Sequence, residues 1–162
     1  MQLKNTCSKK LYGGIDPGKK GAIAFVSNDL SKVLVFPMPE LEKDLIPLLS
    51  PLKKEIVCIS VEKQQPFPEQ GISSTFKLAR HYGIILGILK TLNIPHEEVP
   101  PQKWKKFILG NCKGKRKLLK KLALEKASSL FPSVKLGKHD GKADALLLAL
   151  YTLKTYTGES KK

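Results

Sequence analysis

The sequence is poor in several kinds of residue, and each scarcity excludes a class of protein. Its 162 residues include only three cysteines, Cys7, Cys58 and Cys112, and these form no CxxC pair. This pattern argues against a disulfide framework or a zinc cluster and favours a reducing compartment. No apolar run approaches the roughly 20 residues that span a membrane, and the N-terminus lacks the apolar region of a signal peptide. We therefore expect a cytoplasmic protein, or a virus-encoded one that acts in the cytoplasm of its host.

Acidic residues are also scarce, since 14 Asp and Glu stand against 29 Lys and Arg, for a formal net charge of +15. A field of this sign attracts polyanions, nucleic acid first and an anionic membrane surface second. The alternative is a soluble basic protein whose charge serves no polyanionic partner. The basic residues are clustered, however, because residues 103–121 contain nine Lys and Arg and no acidic residue. Phosphate binding requires such a patch, so nucleic acid is the predicted partner.

The pattern of apolar residues predicts one domain over residues 1–162, with a core at about 11–155 and the basic segment at 103–121. Alternation and turn signals predict strands over residues 10–16, 21–27, 32–38, 55–63 and 94–99. Helices are expected over residues 40–54, 73–93, a short stretch after 100, 115–131 and 141–156. Three consecutive strands followed by helices and strands in turn predict an α/β fold, with a mixed sheet flanked by helices.

Two of the predicted helices have distinctive apolar patterns. The helix over 73–93 is apolar on nearly every side, and its Gly83 and Gly87 lie four residues apart. These glycines would permit close packing, either of another helix or of the sheet. In the helix over 115–131 we place one residue, Leu124, off the apolar face. The residues predicted to form that face are Leu118, Leu119, Leu122, Ala123, Ala127, Leu130 and Phe131.

Carboxylates stand at the ends of two predicted strands and at the start of the last helix. Asp16 ends the first strand and Glu62 the fourth, and each follows a small residue two positions earlier. A small residue on the same face would let a covering helix approach closely. In the last helix Asp140 and Asp144 are four residues apart and so share a helical face. The topology therefore predicts a cluster of up to four acids.

Clustered carboxylates repel one another, so some stay protonated unless a cation shares the site. Oxygen-rich sites of this kind suit Mg²⁺ or Mn²⁺. Two such ions about 3.5–4 Å apart can activate a water and stabilise the leaving oxygen in phosphodiester hydrolysis. Each acid also has a bland interpretation: Asp140 as a helix N-cap, Glu62 as a surface ion pair with Lys63 or Lys77, and Asp16 as a turn residue. Their joint placement favours the metal interpretation.

Four segments resemble a known family in order and in spacing. They are GGIDPGKKGAIAF, ISVEKQQPFPEQGISSTFKLARHYGIILGIL, VPPQKWKK and KHDGKADALLLALY. Together they resemble the RuvC family of Holliday-junction resolvases, within the RNase H-like superfamily. The likeness covers about residues 11–155 and is greatest to the phage-type and chloroplast-type enzymes.

The resemblance implies a fold, an activity and a set of ligands. The fold would be an RNase H-like five-stranded mixed sheet, and the activity that of a crossover junction endodeoxyribonuclease. Such an enzyme, a homodimer with two active sites, makes paired symmetric nicks in a four-way junction. Its cofactor would be Mg²⁺, with Mn²⁺ able to substitute and two ions in each active site. The positions that match the catalytic metal ligands are Asp16, Glu62, Asp140 and Asp144.

The same motifs suggest where DNA would be bound. Phe67, in the loop after Glu62, is either a wedge at the junction centre or a residue packed between two prolines. Trp104 is either a stacking group or a core anchor. His139, beside Asp140, either orients a water or a phosphate, supports a metal ligand from behind, or faces solvent. The candidate DNA contacts are Lys19, Lys20, Gln64, Gln65, Phe67, Gln70, Lys103, Lys105, Lys106, Lys113, Lys115, Arg116, Lys117, Lys120 and Lys121.

Two further interpretations remain open at this stage. One is an RNase H-like nuclease that acts on another nucleic acid, such as an RNA–DNA hybrid or a ribosomal RNA precursor. The other is a protein without catalytic activity that binds branched DNA. A comparison of substrates separates the first from a junction resolvase, and cleavage with Mg²⁺ or Mn²⁺ separates the second.

Overall fold

The structure, a computed structural model, describes residues 9–66, 71–111, 116–137 and 141–158. A five-stranded mixed sheet forms its centre, in the order β3-β2-β1-β4-β5. The first three strands are antiparallel neighbours, whereas β4 is parallel to both β1 and β5. The strands are β1 (Leu11–Asp16), β2 (Ala22–Ser27), β3 (Val33–Pro37), β4 (Ile56–Glu62) and β5 (His96–Val99). The predicted α/β class and mixed sheet are confirmed.

Helices cover both faces of this sheet, and they follow the strands as the apolar pattern predicted. A short 3₁₀ turn precedes the first helix, and Pro47 lies inside that helix. The long helix after β4 begins at Ile72, and the last helix is apolar almost all round. The helices are α1 (Leu45–Leu49), α2 (Ile72–Thr91), α3 (Pro101–Leu109), α4 (Arg116–Leu130) and α5 (Lys142–Tyr156).

Each face of the sheet has its own hydrophobic core. On one face, Ile15, Phe25 and Ile59 pack against α1 and α2 through residues such as Leu45 and Ile85. On the other face, α5 covers β1, β2 and β4. The nine residues of α5 from Ala145 to Leu153 are all buried, and so is Ala143. This explains why the helix carries almost no polar residue after its first turn.

Gly14 determines how closely α5 approaches the sheet. A Cβ atom at this position would overlap the backbone of α5, at 2.8 Å from the carbonyl carbon of Leu148 and closer still to backbone atoms of Ala145 and Ala149. Only glycine therefore allows the helix to lie directly on β1. The approach carries the first turn of α5 to the end of β1, where Asp16 is found.

The structure differs from the sequence-based expectation in three packing details. In α4, Leu124 packs against the core although we expected it off the apolar face, whereas Leu118 and Leu130 are 47% and 42% exposed. In β4, strict alternation would place Ile56 on the same face as Glu62. A shift of register opposite Leu11 and Tyr12 instead places Ile56 with the α1 and α2 core. These departures arise because neighbouring elements, and not helical or strand periodicity alone, determine which side is covered.

Gly83 and Gly87 do not pack on the sheet. Both are exposed on α2, and a Cβ atom at either position would meet nothing within 4 Å. The alternative that these glycines serve sheet packing is therefore wrong. Among the residues that the structure describes, no helix is both long enough and apolar enough to cross a membrane.

Candidate active site

The carboxylates of Asp16 and Glu62 come together because their strands are adjacent and parallel. Gly14 pairs with Ser60, and Ile15 pairs with Val61, so the two acidic residues end neighbouring strands at the same edge of the sheet. Both lie on the face that α5 covers. Ligand sites in α/β proteins form at the carboxyl ends of parallel strands for this topological reason. The strand register thus brings these two acids to the same edge of the sheet.

Asp16 is held by the loop that follows it and by the start of α5. Its Oδ1 accepts a hydrogen bond from the backbone N–H of Gly18 at 3.0 Å, so Asp16 is a turn residue as well as a member of the acidic cluster. Gly141 donates its backbone N–H to the carbonyl of Lys20. A Cβ atom on Gly141 would overlap the Asp16 carboxylate and would lie 2.7 Å from the Cα of Gly21. Glycines in the loop after β1 and at the start of α5 thus leave room for the Asp16 side chain.

Asp144 joins the cluster from the first turn of α5. Its negative charge raises the pKa of both Asp16 and Glu62, as expected for carboxylates close to one another. An amino group compensates the charge, because Lys105 Nζ lies 3.4 Å from Asp144 Oδ2 and 3.9 Å from Glu62 Oε2. The Lys105 side chain is only 26% exposed. A cationic group of the chain itself therefore lies between two of the predicted metal ligands.

Burial and mutual repulsion favour the protonated forms of two of these acids. Burial is the largest cause that raises the pKa of Asp16, opposed mainly by its hydrogen bond from Gly18. The pKa of Glu62 is raised to about 7: burial is the largest cause and the charges of Asp16 and Asp144 act in the same direction, whereas Lys105 and the hydrogen bond from Trp104 lower it. Only 13% of the Glu62 side chain is exposed. Surface ion pairing with Lys63 or Lys77 is therefore the wrong interpretation of Glu62.

Trp104 contacts the cluster directly, a contact that the sequence analysis missed. The indole is fully buried, which makes it a core anchor and rules out the stacking role that we considered. Its Nε1–H donates a hydrogen bond to Glu62 Oε2 at 2.8 Å. The sequence did contain a signal for this contact. A buried indole N–H needs a hydrogen-bond acceptor, and Glu62 ends β4, the strand beside β5, which leads into α3.

The donor chemistry of this cluster suits a hard divalent cation, but the side chains are not arranged round one point. Three carboxylates supply oxygen donors of the kind that Mg²⁺ and Mn²⁺ prefer. Within the described ranges, no three His, Cys, Asp or Glu side chains stand close enough together to hold a metal ion. Lys105 accounts for part of this spacing, since its ammonium separates Glu62 from Asp144.

The acidic cluster lies in an open cleft of about 660 Å³ that is also lined by lysines, glutamines and a few apolar side chains. Asp16, Glu62 and Asp144 all line it. So do five residues predicted to contact DNA, which come from the loop after β1, the loop after β4, α3 and α4: Lys20, Gln64, Gln65, Lys105 and Lys120. The charge on Lys120 also lowers the pKa of Asp16, against the larger effect of burial. The cleft thus combines anionic ligands for a cation with cationic groups for a polyanion.

Other predicted DNA contacts lie outside this cleft. Lys103 and Lys106 line a second, shallower pocket of about 320 Å³ with Phe107 and Asn111. Lys19 and Lys117 are exposed, and Lys121 forms an exposed ion pair with Glu125. Arg116 begins α4, but its side chain is not described. The predicted residues that lie wholly outside the described ranges are Phe67, Gln70, Lys113, Lys115, His139 and Asp140.

The fold of the chain is similar to that of solved structures from one bacterium. The Thermus thermophilus RuvC structure matches with a TM-score of 0.63 and 17% sequence identity, over 94% of this chain and 99% of that one. T. thermophilus RuvC in complex with Holliday junction substrate matches with a TM-score of 0.62 and 18% identity, over 94% and 98%. No protein-family model and no curated protein matches the sequence. At this level of identity the likeness shows the fold, and the predicted RNase H-like fold of RuvC type is confirmed.

Proposed function

We propose that this protein is a metal-dependent, structure-selective endonuclease that resolves four-way DNA junctions by paired symmetric nicks. One observation carries the proposal: carboxylates from three distant segments, Asp16, Glu62 and Asp144, line one cleft together with four lysines. The fold supports it, because a structure with the same fold is described as a complex with Holliday junction substrate. The sequence motifs support it further, since they carry acids at the positions where that family has its metal ligands.

In the proposed site Asp16, Glu62 and Asp144 would hold Mg²⁺, or Mn²⁺ in its place, and by its position in the sequence motif Asp140 would complete the ligand set. Two divalent ions would supply a water of lowered pKa and a positive charge for the leaving oxygen. The protein contributes the positions of the ligands. The Gly18 N–H orients Asp16, and Trp104 orients Glu62. A bound cation would take over the counter-charge that Lys105 supplies between Glu62 and Asp144.

The basic walls of the cleft position the phosphate backbone over these acids. Lys20 and Lys120 line the cleft together with the carboxylates, and Gln64 and Gln65 line it at the end of β4. Phosphate contacts of this kind provide affinity without sequence information. Their number makes binding strongly dependent on salt concentration. Selectivity for a junction then depends on where two such clefts lie relative to each other.

A homodimer would place two clefts on one substrate with matching two-fold symmetry. An exposed stripe on α2 is the surface that we assign to this contact. It consists of Ile72, Phe76, Gly83 and Gly87, which fall on one side of the helix, and the first two side chains are 91% and 69% exposed. Exposed apolar side chains beside glycines are typical of close helix–helix contacts. We propose that α2 packs against α2 of a second copy.

The experiment that tests the function compares substrates at equal concentration. An immobile four-way junction, a linear duplex, an RNA–DNA hybrid and a single strand are incubated with the protein and Mg²⁺ or Mn²⁺. Symmetric nicks in the junction alone are the expected result. Preferred cleavage of the hybrid would favour the other RNase H-like activity, and binding without any product would favour a protein that only binds branched DNA. Asp16→Asn is the matched control, since it should bind the junction normally and leave it uncut.

A further inference from the structure

Trp104 lies in the first turn of α3, immediately behind the acidic cluster. It is the only tryptophan of the chain, and it is 0% exposed. The indole contributes to the hydrophobic core beneath α5. Other aromatic residues also serve as core anchors, so burial alone does not show what the indole contributes beyond its volume. What distinguishes tryptophan from phenylalanine at this position is its N–H.

The acceptor of that N–H is a carboxylate oxygen in the cleft. Nε1 lies 2.8 Å from Glu62 Oε2, which is a short, charge-assisted geometry when Glu62 is ionised. Lys105 Nζ approaches the same oxygen, at 3.9 Å. The ammonium also lies 4.9 Å from the centroid of the Trp104 ring, within the range of a cation–π contact. Two consecutive residues of α3 therefore act on a single oxygen of Glu62.

These two contacts differ in permanence. Lys105 is a flexible side chain that also reaches Asp144 and is 26% exposed, so its ammonium can leave the cluster. Trp104 is enclosed by the core and cannot leave without unfolding that region. Its hydrogen bond consequently persists whether or not Lys105 is in place. A rigid donor to one carboxylate oxygen restricts the rotation of the carboxylate group. The direction of its other oxygen is therefore fixed as well.

We propose that Trp104 is a positioning residue, whose indole N–H holds Glu62 Oε2 and so keeps Oε1 available to a cation that would bind in the cleft. This inference rests on the proposed function, because it assigns a role toward the metal ion. It goes beyond that function, because it makes the indole N–H and not the bulk of the ring the feature that matters. Partners of this kind typically account for 10- to 100-fold in metal affinity or activity.

The test replaces the indole N–H alone. Because the chain has a single tryptophan, biosynthetic replacement by 3-(3-benzothienyl)alanine exchanges N–H for sulfur at position 104 and nowhere else. Binding of Mn²⁺ without DNA is then measured by electron paramagnetic resonance of the free ion. We expect about 10-fold weaker binding than in the natural protein, with a near-ultraviolet circular dichroism spectrum and a melting temperature close to the original. Phe107→Leu is the matched control, since Phe107 lies on α3 like Trp104 but packs edge-on against Tyr151 of α5.

Each outcome decides the matter. Equal Mn²⁺ affinity of the substituted and natural proteins overturns the inference, and so does an equal loss in Phe107→Leu, which would show an effect of helix packing only. Should the substituted protein fail to fold, the unaltered protein supplies a second measurement. Mn²⁺ at Glu62 must quench the fluorescence of Trp104, and Glu62→Gln must abolish this quenching. Bound Mn²⁺ without quenching overturns the inference. Absence of both Mn²⁺ binding and junction cleavage in the natural protein instead refutes the proposed function.

Discussion

Lys105 Nζ lies 3.4 Å from Asp144 Oδ2, so an ammonium group of the chain neutralises part of the acidic cluster from within. The same nitrogen is 3.9 Å from Glu62 Oε2, and all three side chains are mostly shielded from water, with 26%, 21% and 13% of Lys105, Asp144 and Glu62 exposed. Removal of one partner of a buried ion pair strongly destabilises the folded protein, because the other charge stays buried without compensation. Lys105 therefore contributes to the stability of the metal-free protein.

Removal of this ammonium should make stability depend on metal. In Lys105→Met, the aliphatic part of the side chain is kept and the charge is lost. We expect a decrease of about 1–3 kcal/mol in the free energy of unfolding in the presence of a chelator at pH 8. Mn²⁺ should recover most of it, because a divalent ion can replace the missing charge. Urea unfolding with and without Mn²⁺ measures both effects. Lys106→Met, on the exposed side of the same helix, should show neither.

Asp16→Asn should abolish cleavage while junction binding persists. The amide keeps the size of the side chain and can still accept the hydrogen bond from Gly18, but it carries no charge toward a cation. Loss of a metal ligand removes several kcal/mol of transition-state stabilisation, so we expect a decrease of at least about 100-fold in the single-turnover rate. Gel-shift titration and quenched cleavage on the same junction measure the two properties. Cleavage at the rate of the natural protein would refute the assignment of Asp16.

Metal-free stability should fall as the pH rises toward neutrality, because folding raises the pKa of Glu62 from 4.5 to about 7. The folded protein thus holds this proton more tightly than the unfolded chain does. The resulting contribution is complete below about pH 4.5 and is lost as the pH approaches 7. Its size is at most ~3 kcal/mol.

Glu62→Gln isolates this effect, since glutamine has no proton to lose and its amide oxygen can still accept from Trp104. We expect the natural protein to lose stability relative to Glu62→Gln between pH 5 and pH 8, in urea unfolding with a chelator present. Parallel pH profiles of the two proteins would contradict the prediction. Mn²⁺ binding should strengthen over the same interval, because the ion requires the ionised carboxylate.

Gly141→Ala should damage the site more than the fold, whereas Gly14→Ala should damage the fold. A methyl group on Gly141 would overlap the Asp16 carboxylate and come 2.7 Å from the Cα of Gly21. A methyl group on Gly14 would overlap the backbone of α5, which cannot shift without moving the whole helix. We expect a loss of about 1 kcal/mol for Gly141→Ala and about 3 kcal/mol or more for Gly14→Ala. Thermal unfolding, together with cleavage corrected for the folded fraction, distinguishes the two.

Substitutions at Gly83 discriminate a monomer from the proposed dimer. Glycine within an exposed helix costs about 1 kcal/mol relative to alanine. Since a Cβ atom at Gly83 would meet nothing within 4 Å, Gly83→Leu should stabilise an isolated chain. In a dimer that packs α2 on α2, the same substitution should weaken association at least about 10-fold, because the leucine side chain separates the helices. Sedimentation equilibrium measures the association. Lys77→Leu, about a third of a turn away around the helix, is the control. A chain that is monomeric at every concentration would refute the dimer.

Local patterns predicted the elements well, because each is bounded by strong signals. The apolar run from Ala22 to Val26 and the alternation that ends at Glu62 each predicted a strand to within one or two residues. Helix α5 was predicted to begin at 141 and begins at Lys142, where the small residues around Asp144 meet the sheet. Leu124 shows the limit of this approach. Its burial depends on where α4 lies relative to α5, which no local period contains.

The sequence by itself determined that Asp16 and Glu62 end two strands, that Asp144 opens a buried helix and that basic residues follow β5. These are properties of neighbouring residues along the chain, and periodicity records them. Only the tertiary structure decided that Trp104 donates to Glu62, that Lys105 lies between two carboxylates and that Gly83 and Gly87 face outward. Contacts between residues some 40 positions apart depend on how α3 and α5 dock on the sheet, and docking is set by close packing of the whole core.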